Sequence, residues 1–70
     1  DFFVYFFKLN YLDLSLNLVK YLTLNTFSGL TEIIYLNLSK NILENAKLSL
    51  FEDNSALNNL DLSKNQINFL

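Results

Sequence analysis

The sequence predicts an α/β fold in which short parallel strands lie side by side, joined by mostly irregular crossovers with little helix. Three observations predict it. The asparagines Asn17, Asn41 and Asn65 are each 24 residues apart, and a fixed period of this length signals stacked repeats. Before each asparagine, leucines alternate with polar residues, as in Leu57-Asn58-Asn59-Leu60-Asp61-Leu62, which is strand spacing. Between these stretches lie residues such as Thr23, Asn25, Thr26, Ser28 and Gly29, which favour turns and coil over regular helix. Strands of this length are unstable alone, but copies at fixed spacing pair about 4.8 Å apart and bury one shared face. Parallel strands need a crossover between them, and each period supplies one.

Residues 1–8 read as the tail of a preceding repeat. Counting by 24, Phe3 falls in register with Phe27 and Phe51, and Phe6 with Leu30, so both are expected to point inward. Phe2, Tyr5 and Phe7 are left over. The run Phe2–Phe7 is far short of the roughly 20 residues needed to span a bilayer, and it lacks a signal-peptide layout.

The first repeat runs over residues 9–32, with the apolar skeleton Leu9, Leu12, Leu14, Val19, Leu22, Phe27 and Leu30. The second covers 33–56 and keeps Ile33, Leu36, Leu38, Leu43 and Phe51. It departs at Ala46, where the other repeats carry Leu22 and Leu70, and at Asn54, which replaces Leu30. Its crossover is therefore expected to be the less well packed, with Leu48 and Leu50 refilling the space. Glu44–Phe51 is read as a turn or two of helix. The third repeat, residues 57–70, is partial, with Leu57, Leu60, Leu62, Ile67 and Leu70 in register.

Composition bounds the function. Seventy residues make at most one small domain, and 51% apolar content suffices for a core. A net charge of -2 disfavours phosphate backbones, so nucleic acid is not the expected partner. There is no Cys, so disulfides and thiolate metal sites are excluded within these residues. There is no Met either, and we expect an internal, uncapped fragment of a longer chain.

The pattern Leu-x-x-Leu-x-Leu-x-x-Asn-x-Leu fits Leu9–Val19, Ile33–Leu43 and Leu57–Ile67, and on those residues the chain resembles the leucine-rich repeats. The 24-residue unit with Phe27 and Phe51 late in it is similar to the subclass of Toll-like receptors and small matrix proteoglycans. It lacks the glycine-x-isoleucine-proline signature of the plant receptor subclass. The resemblance implies a curved solenoid with its parallel sheet on the concave side, and a receptor-like or secreted parent. Such a parent would be an extracellular glycoprotein or the ectodomain of a membrane protein, with an intracellular adaptor as the alternative.

Outward strand positions form columns across the repeats: Tyr11, Tyr35 and Asn59; Asp13, Asn37 and Asp61; Ser15, Ser39 and Ser63; Leu16, Lys40 and Lys64. If this segment binds a protein ligand or co-receptor, these twelve residues are the expected face. The alternative is that they are ordinary solvated positions, since a minority of surface residues carries binding energy. Asn17, Asn41 and Asn65 have donor and acceptor groups on a short side chain and are expected to pair buried backbone groups in a ladder. Asn37-Leu38-Ser39 fits the N-glycosylation pattern, which the repeat also generates by chance. Asp13 and Asp61 should lie two strand spacings apart, about 9.6 Å, without His, Cys or a nucleophile beside them. No catalysis, cofactor or metal is expected. Asp61 is a candidate partner for Lys40 or Lys64. Exposed strand edges and cut core make self-association of the isolated segment an expectation.

Overall fold

The computed structural model describes residues 8–23 and 25–68. The readings placed on Phe2, Phe3, Tyr5, Phe6, Phe7 and Leu70 fall outside them. Three strands, β1 (Tyr11–Asp13), β2 (Tyr35–Asn37) and β3 (Asn59–Asp61), form one parallel sheet in the order β1-β2-β3. Among the described residues the remaining regular element is one 3₁₀ turn, Leu48–Phe51. This is a small three-stranded parallel sheet with little helix, compatible with a mixed α/β class. The register is one repeat per strand: Tyr11 pairs with Tyr35 and Tyr35 with Asn59.

The strands are only three residues long, yet pairing between repeats continues well past them. Leu14 N–H donates to the Asn37 carbonyl and Leu38 N–H to the Asp61 carbonyl, both at 2.8 Å. Farther along, Ile42 N–H donates to Val19 and Gln66 N–H to Leu43, at 3.1 and 2.9 Å. Each repeat therefore lies on the next along its whole front half, which is how so short a strand persists.

The core sits behind the sheet. Leu36, Leu38 and Leu43 of the second repeat are fully buried, as are Leu30 and Ile33. Phe27 and Phe51 stack at 6.1 Å between centroids and 15° between planes, closing the core on the crossover side. Leu50 and Phe51 are both buried, so the second crossover packs despite its departures. The helical stretch expected over Glu44–Phe51 is a single 3₁₀ turn over its last four residues.

Asn54 explains the rest. It is buried, and its Nδ2 donates to the Phe27 and Leu30 carbonyls, each at 3.0 Å. An amide at a leucine position thus ties the two crossovers together and satisfies two buried carbonyls. On the outside, Lys20 pairs with Glu44 at 3.8 Å, with both side chains about half exposed. Such an exposed pair contributes little. Among the described residues no helix is long and apolar enough to cross a membrane.

Candidate interaction surface on the strand face

The asparagines at the strand exits build the frame of the surface. Asn41 Nδ2 donates to Leu38 and Ser39 carbonyls of its own repeat at 3.0 and 3.2 Å, and to the Leu14 carbonyl of the preceding repeat at 3.0 Å. Its Oδ1 accepts from Val19 N–H at 3.1 Å. Asn65 repeats the arrangement on Leu62, Ser63, Leu38 and Leu43. Asn17 holds the Leu14 and Ser15 carbonyls. Asn41 and Asn65 thus bind their repeats to the preceding ones through the backbone groups of those repeats, while the bonds of Asn17 stay within its own repeat.

A second set of bonds shapes the turn itself. Asp13 Oδ1 accepts from both the N–H and the hydroxyl of Ser15, at 2.9 and 2.6 Å. Asp61 does the same with Ser63, at 3.0 and 2.7 Å. Asn37 Oδ1 accepts from Ser39 N–H at 2.9 Å. An acceptor side chain bonding the backbone two residues on is an Asx turn. The next residue then takes the left-handed conformation, with φ of 60° at Leu16, 56° at Lys40 and 56° at Lys64. Non-glycine residues there are strained.

These turns redraw part of the expected face. Alternation places Ser39 outward, but it is buried, in the repeat that has a described neighbour on both sides. It offers no contact surface, whereas Ser63 stays exposed and Ser15 half-buried. Asp13 and Asp61 are anchored by their own turns. Hydrogen bonds from the Ser15 hydroxyl and then its N–H hold the Asp13 carboxyl below the ordinary range. The Ser63 hydroxyl and N–H do so for Asp61, and the Lys40 charge adds the smallest part. Asn37 is half-buried between them. Lys40, Lys64 and Leu16 are exposed at the end of the face.

What remains available is the Tyr11, Tyr35, Asn59 column. The two tyrosine rings stack face to face at 4.5 Å and 3°. Tyr11 is 55% exposed, and Tyr35 is half-buried. Loss of water around the Tyr11 hydroxyl raises its pKa, helped by repulsion from Tyr35 and Asp13. Preceding Tyr35 in the chain, Ile34 is 46% exposed, a residue the strand alternation did not single out. The signal for it was available: Ile34 is an apolar residue where the other repeats carry Asn10 and Asn58. Among the described residues no group of three His, Cys, Asp or Glu side chains converges to hold a metal. Comparison of the chain with protein-family models, curated proteins and solved structures gave no match.

Proposed function

We propose that this segment is a non-catalytic protein-interaction scaffold, a stretch of leucine-rich repeat solenoid from a larger receptor-like or secreted protein. The exposed tyrosine stack is the observation that carries the reading. Two aromatic rings sit on the strand face of a sheet whose turns are tied by side-chain hydrogen bonds, and Ile34, just before β2, is exposed. Aromatic side chains held rigidly at a surface bury large area at little entropic cost when a partner docks. The work of such a scaffold is presentation: a protein ligand or co-receptor docks on Tyr11, Tyr35, Ile34 and Asn59, with Lys40 and Lys64 at the rim.

A second reading is a spacer that contacts no ligand. It is supported by the turns, which already occupy Asp13, Asp61 and Asn37. A photo-crosslinking residue placed at Asn59, and in a separate preparation at Lys47 on the crossover, separates the two readings when introduced into the parent protein on its native cell. Crosslinking to a partner from Asn59 and not from Lys47 supports the scaffold. Silence at both positions supports the spacer. An extracellular parent also predicts a mass shift on removal of a glycan from Asn37, and such a glycan would shield the middle of the face.

A further inference from the structure

The one Asn-x-Ser triplet of the chain, Asn37-Leu38-Ser39, belongs to the middle repeat, which has a described strand on both sides. Asp13-Leu14-Ser15 and Asp61-Leu62-Ser63 hold the same places in the other repeats, so the amide of Asn37 sets this repeat apart. Folding treats the three residues of the triplet differently. Asn37 is half-buried, and its Oδ1 accepts from Ser39 N–H at 2.9 Å. Its Nδ2 makes no hydrogen bond among the described residues and is not sealed from solvent. Asn41 and Asn65, by contrast, each direct Nδ2 at three backbone carbonyls. Leu38 is wholly inaccessible, and Ser39 is only 6% exposed.

Transfer of a glycan to such a triplet needs more than the nitrogen. Asn37 Nδ2 loses a proton and bonds to the anomeric carbon of an oligosaccharide. The bond from that carbon to a lipid diphosphate breaks, and the lipid diphosphate leaves with the electron pair. The hydroxyl two residues on is what separates an acceptor from any other asparagine, so a transferase has to reach Ser39 too. In the folded chain Ser39 lies under the surface, and Leu38 between the two is part of the core. A core residue comes out only in openings close to global unfolding. The finished product fits the fold all the same: the Asx turn uses Oδ1, and a glycan leaves from Nδ2.

We propose that Asn37 accepts an N-linked glycan only before the middle repeat stacks on its neighbours, and that folding then closes the site for good. The inference rests on the secreted or receptor-like reading above, because the lipid-linked donor is met on the secretory route.

The test uses the parent protein in its native cell. Transfer is blocked by a reversible inhibitor of the transferase during a pulse of labelled synthesis, the labelled chains are left to fold, and the block is lifted. Peptide mass spectrometry then reads the glycan on Asn37. Chains made without the block should carry it, and chains that folded under the block should stay at least tenfold less modified. Leu38→Ala keeps the triplet but opens the core, so its chains should still accept the glycan after release. Asn37→Asp removes the acceptor and keeps the turn, as Asp13 and Asp61 show, so it should fold without the glycan. Folded, unsubstituted chains that gain the glycan fully after release overturn the proposal, whatever Leu38→Ala does. An unmodified Asn37 on a parent that reaches the cell surface or the medium also overturns it and leaves the extracellular reading standing. A parent found in neither place overturns both.

Discussion

The middle repeat and its two neighbours share a sequence pattern but not an environment. Leu36, Leu38 and Leu43 are fully buried, while Leu12, Leu14 and Val19 before them and Leu60, Leu62 and Ile67 after them are half-buried. Asn41 is buried, Asn65 half-buried and Asn17 exposed. The residue types are nearly the same, so the difference comes from neighbours. A repeat of this kind covers one side of the next and cannot complete its own core. The left-handed turns show the opposite behaviour: φ is nearly equal at Leu16, Lys40 and Lys64, whatever lies beside them. The turn is local, and burial is shared.

The largest expected contrast lies in the core. Leu38→Ala should destabilise by about 2–5 kcal/mol, because its site is closed on every side. Leu62→Ala removes the same atoms from a half-buried site and should lose no more than about half as much. Chemical denaturation of both variants measures this, and equal losses would mean that the outer leucines are covered as fully as the central one.

Asparagine provides the next contrast. Asn41→Ala leaves the half-buried Val19 N–H without its partner and removes one donor each from the Leu14, Leu38 and Ser39 carbonyls, which keep bonds from Asn17, Asn65 and Leu16 N–H, and should lose about 1–3 kcal/mol. Asn17→Ala removes bonds at an exposed site and should stay within about 0.5 kcal/mol. An Asn41 loss inside that surface range would show that the ladder is incidental.

The turns should respond alike in all three repeats. Valine is poorly suited to positive φ, so Lys40→Val and Lys64→Val are each expected to lose about 1–2 kcal/mol. Lys40→Gly and Lys64→Gly relieve the strain and should be neutral or stabilising by less than about 1 kcal/mol. A clear difference between the two positions in thermal melts would contradict a purely local turn.

The smallest contrast is with pH. The folded pKa values of Asp13 and Asp61 lie below their unfolded values. Their contribution is therefore complete above the unfolded carboxylate range, near pH 4, and is lost as pH falls through the depressed folded values. The middle repeat carries Asn37 at this position and adds nothing to that dependence. Carbon-13 NMR titration should place both carboxyls below the ordinary aspartate range, with Ser63→Ala returning Asp61 towards it and leaving Asp13 unmoved.

Much of the strand arrangement was legible in the residues. Alternation around Leu12, Leu36 and Leu60 marks the strands, and the 24-residue period sets the parallel register that pairs Tyr11 with Tyr35 and Tyr35 with Asn59. The face was less legible. Period-two reasoning carried Ser39 outward with Ser15 and Ser63, and although all three follow the same Asx turn, Ser39 alone is buried, in the repeat flanked on both sides. Asn54 read as a defect because a lone polar residue at an apolar position carries no sign of the carbonyls it meets. Those carbonyls belong to Phe27 and Leu30, in the preceding crossover.

Period, inward apolar set, strand spacing and the absence of cysteine chemistry are properties of the chain alone, because they depend on residue order and on backbone geometry that every chain shares. Which leucines reach zero exposure, which asparagine is buried and which serine leaves the surface are set between repeats. They depend on hydrogen bonds and contacts that span 22 to 27 residues, as from Val19 to Asn41 and from Leu14 to Asn41. No local pattern encodes such a partner, since among the described residues the same motif has a paired strand on both sides in the middle repeat and on one side in each of the others.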